Sequence, residues 1–260
     1  MKELISKETL YERFCQKNPQ LVDLIPQIEM AVVAICECYA KGGRVFCCGN
    51  GGSSSDSAHI VGELLKGFLR QRPLSEEDKM DLSTYGETGV LMAEKLQGSL
   101  AAIDLTTQQA IMSAVANDTD PRLMYAQQLW GLGREGDVLI GISTSGNAEN
   151  VLAAGIAAAQ KGMKTISLTG AGGGKMGELF DIPIKAPSTW TPEVQEYHIA
   201  IYHFICAWKT RSLKSNHLTD KTISPGCISR GIFPLHRLQN SRKRRNQPCS
   251  LKPNASSCGN

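Results

Sequence analysis

From Gly43 onward, five short apolar, β-branched runs recur: Arg44 to Cys48, Ala101 to Asp104, Asp137 to Ile142, Met163 to Leu168 and Asp181 to Lys185. Most close in a Gly/Ser/Thr cluster that leads into a longer amphipathic stretch. Strand-sized runs alternating with helical patterns are repeated βα units, and consecutive parallel strands need helical crossovers. The expected fold class is therefore α/β: a five-stranded parallel doubly wound sheet, flavodoxin-like in type, flanked by helices. In such sheets ligands sit beyond the carboxyl ends of the strands. The loops after Cys48, Asp104, Ile142 and Leu168 are the places to search, and three of the four are rich in Gly, Ser or Thr.

Around this body, Ser6 to Ala40 carries apolar residues at helical spacing (Leu10, Phe14; Leu24, Ile28, Val32, Ile35), interrupted by Pro19 and Pro26, and predicts two N-terminal helices. Residues 70–98 are charged and helix-prone and read as an insertion. Residues 1–213 form the expected folded domain. Residues 214–260 have no helical or strand period and read as a disordered basic tail. The stretch after Ser212 holds nine of the chain's 28 Lys/Arg but one of its 25 acidic residues, so the body is net negative and offers no footprint for nucleic acid. The charged start, MKELISKETLYERF, has no uncharged h-region, and the longest apolar run, Val151 to Ala159, is too short for a bilayer. Nine cysteines without framework spacing fit reduced thiols in a cytoplasmic protein better than disulfides or a zinc ribbon.

Two loops carry chemistry. Gly49-Asn50-Gly51-Gly52-Ser53-Ser54-Ser55-Asp56 follows the first strand and opens a helix, with neither Walker A nor G-x-G-x-x-G spacing. Ser143-Thr144-Ser145-Gly146-Asn147 stands at the same place after the third strand. Ser, Asn and Gly also cap helices and make turns. Two such loops at neighbouring strand ends nevertheless offer N–H groups and hydroxyls to one point, which suits a phosphate monoester. On the helix after the first loop, His59 and Glu63 are four apart and share a face, a workable pair for a metal or for proton transfer. Gln195, Glu196, His198 and His203 lie on a later helix with an apolar face, where a histidine is often a core residue.

Four stretches carry a resemblance: GNGGSSSDSAH, GREGDVLIGISTSGN, KGMKTISLTG and PEVQEYHIAIYH, in order between about residue 20 and residue 212. Together they resemble the sugar isomerase (SIS) domain in its phosphoheptose isomerase branch. The resemblance implies a cradle in which Ser53, Ser143, Thr144 and Ser145 hold the sugar phosphate, with Gly51 and Gly52 in the first loop. Asn50, Asn117 and Asp118 are implied contacts to sugar hydroxyls. His59, Glu63, Gln195 and His203 match the positions of zinc ligands and catalytic groups, with Gln195 also on the substrate side. The implied chemistry is isomerisation of sedoheptulose 7-phosphate to D-glycero-D-manno-heptose 7-phosphate through an enediol, with Glu63 as base, His203 as acid and one Zn²⁺ per subunit. The implied assembly is a homotetramer with active sites at subunit interfaces.

Two points stay open on the residues. Gln195 and His203 are eight apart, about 12 Å along an ideal helix, so a distorted first turn at Pro192, or two subunits, would be needed to join them at one metal. His198 is the alternative ligand. Ala148 and Pro192 depart from the family pattern. The alternative function is a non-catalytic SIS module that senses a phosphosugar or binds a replication initiator protein.

Overall fold

The structure is a computed structural model that describes residues 6–212, with the side chains of 209–212 left aside. The tail expected at 214–260 lies outside the described residues.

The chain opens with α1 (Lys7–Lys17), whose first turn is closed by Ser6 Oγ accepting the Thr9 N–H at 3.0 Å. A 3₁₀ turn, Pro19–Leu24, leads directly into α2 (Ile25–Ala40). Pro26 does not interrupt that helix. It occupies the first turn, where the missing N–H has no intrahelical partner to lose.

Next come β1 (Val45–Gly49) and α3 (Gly52–Leu65). The inserted region forms a helical hairpin of α4 (Glu76–Ser83), capped by Ser75, and α5 (Gly86–Lys95), closed at its base by a bridge between Pro73 and Gln97. The remaining elements are β2 (Ala102–Asp104), α6 (Gln109–Asp118), α7 (Met124–Leu132), β3 (Val138–Ile142), α8 (Glu149–Gln160), β4 (Lys164–Thr169), α9 (Met176–Leu179), β5 (Ile182–Lys185) and α10 (Thr191–Ser212).

All five strands are parallel, in the order β2-β1-β3-β4-β5. Each predicted strand is present within one residue of its expected bounds. Alternation along the strands feeds two cores. Val45, Cys47, Ile140 and Ile166 face α2, α3 and α10, whereas Phe46, Cys48 and Leu139 face α7 and α8. With both faces covered, β1 and β3 are buried throughout. Burial, the largest cause, pushes the Cys47 and Cys48 thiols up and favours their protonated form. Among the described residues no helix is long and apolar enough to cross a membrane.

Candidate active site

Strand order reverses between β1 and β3, and the two Ser/Gly loops leave the carboxyl ends of these two hydrogen-bonded neighbours. Gly51 (φ 56°, ψ −121°) takes a conformation that a side chain would resist, and it turns the chain from β1 into α3. Ser53 and Ser54 N–H then bond back to the Asn50 and Gly51 carbonyls at 3.0 Å. Among the described residues no hydrogen bond takes the N–H groups of Gly51, Gly52, Thr144 or Ser145. Four unused donors at a topological switch point, beside the positive end of α3, make an anion cradle.

Side chains fix the cradle's shape. Asn147 Nδ2 donates to the Ser145 carbonyl at 3.0 Å, Asn147 N–H donates to Ser145 Oγ at 3.2 Å, and Lys175 N–H donates to Asn147 Oδ1 at 3.0 Å. Asn50 and Asn150 exchange amide hydrogen bonds at 2.8 and 2.9 Å, joining the first loop to the first turn of α8, which follows the second loop. Tyr125 Oη donates to the Gly49 carbonyl at 2.7 Å and stands 3.1 Å from Asn50 Oδ1. Neither Tyr125 nor Asn150 was marked by any local signal, since each meets Asn50 only through the fold. Asn117 and Asp118 close α6, exposed and bonded to each other at 2.8 Å, with no hydrogen bond to either loop among the described residues.

Helices α3 and α10 lie side by side and parallel. Gly52 faces Gln195, while His59 faces Tyr202 and His203, a nearly constant offset along both helices. A Cβ on Gly52 would collide with the Gln195 amide, so this glycine permits the close approach. Further down the pair, His59 Nε2 lies 3.2 Å from Glu63 Oε1 and 3.4 Å from His203 Nε2. One ligand atom from each of His59, Glu63 and His203 lies within 4.8 Å of the others. His203 is half-buried between the rings of Phe68 and Tyr202, and burial, followed by the neighbouring His59, holds its pKa below the usual histidine value.

Gln195 is not part of this cluster within one chain. Helix α10 is unbroken from Thr191, so the eight-residue spacing keeps the amide about 12 Å from His203 along the axis, at the cradle. His198 is excluded as the alternative ligand. Its ring is fully buried, with Nε2 3.2 Å from the Thr169 carbonyl, and burial lowers its pKa to about 4.

Fold and site together define a SIS-domain protein, a phosphosugar-type cradle on a five-stranded parallel sheet, and the family model described as SIS domain matches residues 85–170. Curated relatives include a phosphoheptose isomerase of Rhodospirillum rubrum, 38% identical over 74% of this chain and 92% of its own length. Another is that of Helicobacter pylori, 37% identical over 78% of this chain and 93% of its own. Among solved structures, the phosphoheptose isomerase of Francisella tularensis superposes with a TM-score of 0.62 at 31% identity, covering 78% of this chain and 95% of that one. That of Neisseria gonorrhoeae gives 0.58 at 32% identity, covering 75% and 90%. The chain belongs to the phosphoheptose isomerase family.

Proposed function

We propose that the chain isomerises sedoheptulose 7-phosphate to the corresponding heptose 7-phosphate at the site between α3 and α10. The observation that carries this reading is the gathering of His59 and Glu63, on the helix that begins at the cradle, with His203 of α10 within 4.8 Å. The cradle N–H groups and the hydroxyls of Ser53, Ser143, Thr144 and Ser145 bind the phosphate and set the sugar's direction. Gln195 and Asn50 border the same loops and supply amide partners for sugar oxygens. Glu63 then takes the proton from C1 and returns it to C2, while His203 exchanges a proton with the carbonyl and hydroxyl oxygens as the enediol forms and collapses.

The three side chains also fit a divalent cation. His59 stands 3.2 Å from one neighbour's donor atom and 3.4 Å from the other's. These are about the separations of two ligands bonded at 2.0–2.2 Å to one tetrahedral ion. Two imidazoles and a carboxylate suit Zn²⁺, with Mn²⁺, Co²⁺ or Ni²⁺ as alternatives. Bound there, the ion would polarise the substrate carbonyl. Glu63 cannot serve fully in both roles, since coordination lowers its basicity. Elemental analysis of protein purified without a histidine tag should find about one metal equivalent per subunit. Full activity in chelated, metal-free protein would contradict the assignment.

The assembly we propose is a cytoplasmic homotetramer. Exposed Met30 and Val33 on α2, and Leu91 on α5, supply apolar surface for such contacts. A coupled assay on the full chain with zinc supplied tests the function. Conversion of the ketose supports it, and binding of the phosphosugar without conversion opposes it.

A further inference from the structure

Tyr202 is one of the largest fully buried side chains of the molecule, and its hydroxyl makes two contacts that the reaction described above does not use. Tyr202 Oη lies 2.9 Å from His59 Nδ1 and 3.3 Å from Asp56 Oδ1. Asp56 sits one turn before His59 on α3, is buried, and among the described residues has no hydrogen-bond partner for its other oxygen. His59 thus shows one ring nitrogen to Glu63 and His203 and the other to a buried hydroxyl that in turn meets a buried carboxylate.

We propose that Tyr202 and Asp56 are positioning residues that hold His59 as an Nε2 ligand for the divalent cation of the site. This rests on the metal reading of His59, Glu63 and His203. The argument is a count of protons. An imidazole that gives its Nε2 lone pair to a cation while neutral must carry its proton on Nδ1. That N–H then donates to Tyr202 Oη. The tyrosine's own proton is directed to Asp56, the remaining acceptor at the hydroxyl. Without the cation the chain can run the other way, with Tyr202 donating to Nδ1 and the Nε2–H donating to Glu63 Oε1. A hydroxyl, being both donor and acceptor, can pair with either tautomer of His59 without rotation of the ring; the exchange itself releases one proton from Nε2 to solvent and takes one up from solvent at Nδ1. A phenylalanine ring would fill the same space but provide neither bond. Outer partners of this kind generally alter metal affinity by about 10–100-fold.

The test is zinc titration of metal-free full-length protein against a chromophoric chelator, for wild type, Tyr202→Phe and Asp56→Asn. Far-UV circular dichroism and melting temperature of each metal-free form establish folding. The expected result is that folded Tyr202→Phe binds zinc about 10–100-fold more weakly than wild type, and Asp56→Asn falls in between because its amide oxygen still accepts. In ¹⁵N-histidine-labelled, zinc-loaded wild type, the His59 Nδ1–H should be protected from solvent exchange, and Tyr202→Phe should lose that protection. A lost tyrosine packing role would change melting temperature but not this signal. If Tyr202→Phe does not fold, Asp56→Asn carries the comparison. Wild type binding zinc while the folded variants match it within about twofold overturns the positioning role alone. Absence of zinc binding by wild type overturns the metal reading and this inference together.

Discussion

At the scale of single residues, the cradle and the proton-transfer groups should separate in kinetics. Ser145→Ala removes one hydroxyl from a cradle that keeps the N–H groups of Gly51, Gly52, Thr144 and Ser145. It should raise KM more than it lowers kcat, by about 1.5–3 kcal/mol, the worth of one hydrogen bond to a charged group. Glu63→Gln preserves volume and removes the proposed base, so kcat should fall about 100-fold or more while phosphate binding persists, as steady-state kinetics and inorganic phosphate inhibition would read out. His198 provides a stability test. In the unfolded chain it titrates near 6.5, whereas burial holds it neutral in the folded chain until about pH 4. Between these values the unfolded state binds the extra proton, so its contribution is fully present above about pH 6.5 and is lost as pH falls toward 4. Urea unfolding of wild type should show this loss, on the order of 3 kcal/mol from the pKa difference, and His198→Gln should have a flatter profile.

At the scale of elements, α8 depends on two glycines that make room for one ring. A Cβ on Gly141 would meet Phe180 Cε1 at 2.9 Å, and one on Gly155 would meet Phe180 Cε2 at 2.5 Å. Gly155→Ala should destabilise by about 1–3 kcal/mol in thermal melts through overpacking. Combined with Phe180→Leu, the loss should be less than the sum of the two single changes, since they compete for the same space. The strands and cradle loops were legible because their signals are local: apolar runs of strand length, the first and third of them followed by glycine and serine. His59 and Glu63 were legible because helical spacing places them on one face. The partnership of His59 with Tyr202 was not, because it spans 143 residues and depends on the register of α3 against α10. The same register explains why the four implied metal ligands separate into a lower group of three and a glutamine at the cradle. His198 and His203 share an apolar helix, with His203 the expected ligand and His198 the alternative, and the packing of His198 against Thr169 tells the core histidine from the one at the site.

At the scale of the whole molecule, a parallel sheet holds two loops at one switch point, and a parallel helix pair carries the His59, Glu63 and His203 cluster away from it. Light scattering should give four times the chain mass if the proposed tetramer forms, and a monomer with full activity would show that the site is complete in one chain. The measurement that bears most directly on the central claim is NMR of sedoheptulose 7-phosphate incubated in D₂O with the zinc-supplied protein. The account predicts an aldose heptose 7-phosphate that carries deuterium at C2, formed by wild type and at least about 100-fold more slowly by Glu63→Gln. A ketose that binds at saturation yet remains unconverted and unlabelled, or a Glu63→Gln protein as fast as wild type, would contradict it.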